Sequence, residues 1–200
     1  GNIDLNSTLV YKPSDAMQGS IGMKKHKYYD EVTLSELIDH LLTYSDNTAH
    51  FMLIKYIGLD TLKEYFSDFN LVMVKEDPFV RNYTALMASK CLERLYSVLE
   101  VDDDYSALIK KAMNNKNMNY LSFDDKIIYH KYGMYDASFH DIGIYDSDNP
   151  YIIVVLTLYG NLGQDVFGAK VQNISKKVYE IYSKNLELKE EYCQSVLENN

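Results

Sequence analysis

The sequence predicts an α+β fold in which a helical lobe precedes an antiparallel sheet flanked by helices. Three observations carry this. Apolar residues recur at helical spacing in successive segments between Thr33 and Ala112. From about residue 126 the texture changes to three short runs rich in β-branched and aromatic residues, "KIIYHKYG", "SFHDIGIYD" and "YIIVVLTLYG". A further helical stretch follows at about 165–183. This gives one domain over residues 1–183, with the helical lobe at about 30–125 and the sheet and C-terminal helix at about 126–183. An acidic tail, 184–200, follows as a helical extension or a disordered segment.

Residues 1–32 read as polar and irregular, with Pro13, Gly19 and Gly22 as breakers. Thr33 and Glu36 then form a capping box, in which paired side chains satisfy free groups at a helix start. Leu34, Leu37, Ile38, Leu41 and Leu42 share one face of that helix. A Ser45-Asp46-Asn47 corner separates it from a second stripe, Ala49, Met52, Leu53, Tyr56 and Ile57, which Gly58 closes. A short helix is expected from Thr61 to about Phe69 and a loop around Pro78 over 70–83. A longer helix from Thr84 to about Leu99 turns Leu92, Leu95, Tyr96 and Leu99 inward. The acidic run Asp102 to Asp104 suits the start of another, carrying Leu108, Ile109 and Ala112. The three β runs are joined by short connections containing Gly133 or the Asp146–Pro150 turn, so they form a meander.

The chain has 200 residues, enough to bury about 70% of its unfolded surface without a disulfide staple. The net charge of −9 argues against nucleic-acid binding. The dense basic patch Lys24-Lys25-His26-Lys27 reads as a solvated loop, with contact to an anionic polymer as the minor alternative. Cys91 falls on an apolar helix face and Cys193 in the tail, which makes neither a disulfide framework nor a metal spacing. His130 and His140 could face each other on adjacent strands but lack a further ligand set. His140 and Asp141 are neighbours in one strand, point to opposite faces and cannot act together on one substrate. No apolar run reaches the roughly 18 residues of a membrane span. With no glycine-rich phosphate loop, no cofactor or metal is expected.

On residues alone, Ser45-Asp46-Asn47 is a helix N-cap, Lys131 a surface lysine on a strand, and Gly133 a strand end or bulge. Taken together, "SDNTA", "HKYG" and "HDIGI" carry a second reading. In that order and setting they resemble the penicillin-recognising serine hydrolases, the class A β-lactamases and D,D-peptidases. Those proteins combine a Ser-x-x-Lys nucleophile motif, a Ser-Asp-Asn loop and a Lys-Thr-Gly strand. The resemblance runs from about residue 30 to 183. It implies a β-lactamase/transpeptidase-like fold whose substrate is a β-lactam or a D-Ala-terminated peptide. Ser45 would relay a proton toward the leaving nitrogen, and Lys131 would place positive charge beside it and beside the substrate carboxylate. Asn47 would bond the substrate amide, Gly133 would admit the substrate to the backbone, and the Met134 amide would serve an oxyanion hole.

The chain departs from that pattern in four ways. No serine has a lysine three places on. "GNIDLNS" resembles the turn after the nucleophile helix, so the expectation is a fragment beginning there or a homologue without that helix, its first strands missing. The family's threonine is Tyr132, which fills or reshapes the carboxylate pocket. In "KEDPFVRNYTALMA" the acids Glu76 and Asp77 lack the family's spacing to Asn82, so a slow acyl-enzyme is expected of the parent rather than efficient lactam hydrolysis. Without first strands, Tyr151 to Leu158 becomes a bare sheet edge through which the chain is expected to self-associate. The resemblance therefore implies a penicillin-recognising domain, inactive on its own, from an extracellular or cell-envelope parent. The alternatives are a non-catalytic binding or scaffold module of the same fold and, third, a glutaminase-type amidase.

Overall fold

A computed structural model describes residues 3–68, 72–73, 81–135, 138–158 and 163–198. The first departure from the sequence reading is in the N-terminal segment. β1 (Thr8–Val10) pairs antiparallel with β2 (Glu31–Thr33), and two short 3-10 turns, Pro13–Asp15 and Gly22–Lys25, lie between them. Tyr11, Met23 and Val32 anchor the segment in the core beside Leu34 and Leu37, but at spacings that follow neither a helical nor a strand period, and polar side chains hold the rest. The Met17 amide donates to Thr48 Oγ1 at 2.9 Å, and the Thr48 amide donates to Ser20 Oγ at 2.9 Å. Lys55 bonds the buried carboxylate of Asp15.

Thr33 caps α1 (Leu34–Tyr44), its hydroxyl oxygen accepting the Glu36 amide at 3.2 Å. α2 (Asn47–Ile57) ends at Gly58, whose φ of +88° lies outside the comfortable range of other residues. α3 (Leu59–Ser67) follows. The stretch read as a loop contains a minimal antiparallel pair, β3 (Val72–Met73) and β4 (Arg81–Asn82), too short for any periodicity to show. Thr84 caps α4 (Ala85–Leu99) and Asp103 caps α5 (Asp104–Met113).

β5 (Ile128–Tyr135), β6 (Ser138–Tyr145) and β7 (Tyr151–Leu158) form the meander, in the order β5-β6-β7. Pairing of β5 with β6 runs unbroken through Gly133, so that glycine marks no bulge. β7 is an edge of this sheet among the described residues. The period-2 alternation of the strands sends side chains to two cores. Tyr129 and Ile144 face Leu92, Leu99 and Met113 of the helical lobe. Ile128, Phe139, Tyr145, Ile153 and Val155 face Phe167 and Val171 of α6 (Gln164–Glu198) and the Leu121–Phe123 segment. Phe139 sits between Tyr120 and Phe167, each ring centroid at 5.1 Å in edge-on contact. α6 continues to Glu198, so the tail takes the helical of the two forms expected for it. Among the described residues no helix is long and apolar enough to cross a membrane.

Gly143 reports how closely the strands and the Leu121 segment are packed. A Cβ there would lie 2.9 Å from both Ile128 Cγ2 and the Tyr129 carbonyl oxygen, and a carbonyl cannot swing aside as a side-chain tip can. Gly143→Ala is expected to lower unfolding free energy by about 1–3 kcal/mol through overpacking, measured by chemical denaturation. A neutral substitution would mean that β5 shifts freely.

Candidate functional site

Ser45 is the residue at which α1 stops. It takes a left-handed conformation, φ +53° and ψ +40°, and its amide and that of Asp46 both reach back to the His40 carbonyl. A left-handed non-glycine residue is uncommon and strained, and it persists only where its surroundings hold it. Here the holder is Asp46, wholly buried at the start of α2. One carboxylate oxygen accepts the Ala49 amide at 2.9 Å and the other accepts the Met23 amide at 3.0 Å. Asp46 therefore makes the N-cap anticipated for this corner, and Ser45 is left as a hydroxyl projecting from the joint between two helices. Asn47 Nδ2 donates to the Gln18 carbonyl at 2.7 Å, so its amine end is engaged with the N-terminal loop.

From the sheet, Lys131 reaches this joint. Its Nζ donates to Ser45 Oγ and, at 2.8 Å, to the Tyr132 carbonyl. The Tyr132 ring centroid lies 4.3 Å from the same ammonium, a cation–π contact. Lys131 is thus not a surface lysine. Removal from water pushes its pKa down to about 8, an effect that Asp141 partly opposes. Near neutrality the amine is largely charged but gives up its proton far more readily than an exposed lysine. It can attract an anion when protonated and take a proton from a hydroxyl when not. Gly133 has open space where a side chain would be, with no atom within 4 Å of a Cβ placed there. Met134 follows on the exposed end of β5.

The strand position of Lys131 rests on a pair that sequence reasoning missed. His130 and His140 do not face each other: His140 lies across from Gly133, whereas His130 lies across from Gly143 on the opposite face. On that face His130 Nδ1 lies 2.9 Å from Asp141 Oδ1. His130 stands diagonally across from Asp141 in the register, close enough for a short bond. Both are fully buried. Asp141 Oδ2 also accepts the amides of Tyr120 at 3.0 Å and Leu121 at 3.3 Å. The carboxylate thus ties β5, β6 and the preceding loop together beneath the site. The signal was present as "HKYG" and "HDIGI", but only the strand register shows which residues meet.

Glu76 and Asp77 lie outside the described residues. Among the described residues no group of three or more His, Cys, Asp or Glu is arranged to hold a metal ion. Two cavities lie away from the Ser45–Lys131 contact. One, of about 410 Å³, is lined by Tyr11, Ser20, Lys24, His26, Tyr28 and Thr48 among others. The other, about 350 Å³ and mostly apolar, lies between α1, α2 and α3. Neither is lined by Ser45 or Lys131, and the chemistry, rather than the hollow, marks the candidate site.

Comparison with known proteins shows the family and the fold. A sequence profile described as the beta-lactamase enzyme family matches residues 1–182. Among curated proteins none matches. Among solved structures the chain is similar to TLA-3 extended-spectrum beta-lactamase, with TM-score 0.77 and 19% identity over 90% of this chain and 76% of that one. It is similar to a beta-lactamase from Chitinophaga pinensis DSM 2588, with TM-score 0.75 and 14% identity over 89% and 76%. It is also similar to a mutant of PBP-A solved as an acyl-enzyme complex with penicillin G, with TM-score 0.70 and 18% identity over 91% and 74%. At these identities the likeness establishes the fold, which is β-lactamase/transpeptidase-like.

The depressed pKa of Lys131 makes stability depend on pH in a stated direction. Between about 8 and the ordinary 10.5 the unfolded lysine binds a proton that the folded one has released, so folding gains stability as pH rises through that window. The gain approaches about 3 kcal/mol at most. Lys131→Met should lack this rise when unfolding curves of the two proteins are compared at successive pH values. Parallel pH curves would contradict it.

Proposed function

The chain belongs to the beta-lactamase enzyme family, and from that premise we propose that the Ser45–Lys131 joint recognises the carboxylate of a β-lactam or a D-Ala-terminated peptide. The observation that carries this reading is the Lys131–Ser45 bond, which brings a poorly hydrated ammonium from the sheet onto a hydroxyl from the helical lobe. A charge already stripped of water attracts an anion strongly, because little further desolvation is needed. In this reading Lys131 meets the carboxylate and Ser45 passes a proton between Lys131 and the substrate nitrogen. Asn47 holds the amide side chain, Gly133 leaves room for the substrate, and the Met134 amide faces the carbonyl oxygen. Tyr132 stands where a ligand carboxylate would approach Lys131, and its ring must turn or share the ammonium. D-Ala-terminated peptides belong to the cell envelope, and we place the protein's working compartment outside the cytoplasm.

An acyl-enzyme needs a nucleophile, and within these 200 residues no serine has a lysine three places on. These residues are therefore expected to bind a penicillin without being acylated by it. The second reading, a binding module without catalysis, is favoured by Tyr132, whose ring lies against the Lys131 ammonium.

Titration with penicillin G followed by calorimetry and intact-mass measurement tests the proposal. The expected result is reversible binding, weakened on the order of tenfold or more in Lys131→Met. Binding should also weaken as pH passes about 8 and the ammonium discharges. Affinity unchanged in Lys131→Met, or a covalent adduct on a serine of this chain, would overturn the assignment.

A further inference from the structure

α6 does more than cover the sheet. Its inward stripe is Phe167, Val171 and Ser175, continued by Tyr179 and Tyr182, whose rings touch Tyr145 and Tyr151. The family match ends at residue 182. The helix then runs on to Glu198, about four turns further. A free helical arm of that length is marginal in water, because tertiary packing supplies most helical stability.

A second stripe runs along another flank of the same helix. Ile174, Val178, Ile181, Asn185, Leu188 and Tyr192 follow one another at intervals of four, three, four, three and four residues, the heptad spacing of a coiled-coil seam. These residues belong to neither core, and Ile181 is 63%, Leu188 49% and Tyr192 70% exposed. The one polar member, Asn185, lowers the affinity such a seam can reach.

We propose that this stripe pairs with the same stripe of a second copy of this chain, as an antiparallel two-stranded coiled coil. The charges flanking the seam choose the occupant and its direction. Lys184 and Glu191 each precede a seam residue by one, and Lys189 follows one. A parallel pair would set Lys184 against Lys189 of the second copy. An antiparallel pair with Ile181 against Tyr192 and Asn185 against Leu188 sets Lys184 beside Glu191 of the second copy, twice by the two-fold axis. Lys184 is available for this, since its present partner is an exposed Glu187 one turn on, at 3.3 Å, in a pair of small worth. An anionic membrane surface fits poorly, because Glu187, Glu190 and Glu191 outnumber Lys184 and Lys189 on the arm.

Sedimentation equilibrium across the micromolar range tests this on the chain as it stands. The expected result is a monomer–dimer equilibrium that Leu188→Glu abolishes. Lys184→Glu should weaken it by about tenfold, since each two-fold dimer then carries two repelling pairs. Adding Glu191→Lys to that variant should restore it. A monomer at every concentration overturns the proposal. So does a dimer that survives Leu188→Glu, which would put the contact elsewhere, such as the β7 edge. A tighter dimer in Lys184→Glu overturns the antiparallel order, because only the parallel pair would gain from it.

Discussion

An ammonium held largely out of water between two lobes is the constraint around which this molecule is arranged. Burial of Lys131 is unfavourable for its charge, as its depressed pKa records. What offsets the cost is local: the Ser45 hydroxyl, the Tyr132 carbonyl and ring, and the field of Asp141. Each of those groups must be held in place by something more rigid. Two buried carboxylates do this, one in each lobe. Asp46 binds two backbone amides and fixes the left-handed turn that presents Ser45. Asp141 binds two further amides and His130, the residue next to Lys131 in β5. Breaking either set would leave a carboxylate buried without partners, which is far more costly than the bond itself is stabilising. The site is therefore rigid because its supports are polar and enclosed.

That rigidity bears on chemistry. Recognition of an anion by a pre-desolvated cation needs no reorganisation at the moment of binding, and the same property makes a charged site useful in acyl transfer. The fold is shared with β-lactamases and with PBP-A, proteins under 25% identical to this chain. Function still lives in the residues grafted on the fold. Tyr132 is the clearest local difference. Its ring lies against the ammonium, 4.3 Å from centroid to Nζ.

Much of the fold was legible because it is written in local codes. The Thr33 cap, the apolar faces of the helical lobe, Gly58 after α2 and the three β runs each depend on residues a few places apart. The Ser45–Lys131 site was legible only through short motifs whose joint meaning a resemblance supplied, since nothing in residue spacing says that a corner and a strand so far apart meet. The helix cap read for the Ser45-Asp46-Asn47 corner is there, and the structure assigns it to Asp46, a choice the sequence leaves open because all three residue types suit that position. The His130–Asp141 pair escaped because partner choice across a hairpin depends on register. The β1–β2 pair escaped because three-residue strands leave no periodic trace. The extension of α6 stood as one of two readings of the tail, because an acidic composition suits a solvated helix and a disordered segment alike.

The central claim is that Lys131 is a half-buried, easily discharged amine that an incoming carboxylate stabilises. The direct measurement is a pH titration of the Lys131 side-chain Cε by NMR, without and with penicillin G, using Lys131→Met to assign the signal. The account predicts a midpoint near 8 for the free protein and a higher one with the ligand bound, since a bound anion favours the charged amine. An ordinary lysine midpoint near 10.5, unmoved by penicillin G, would contradict it.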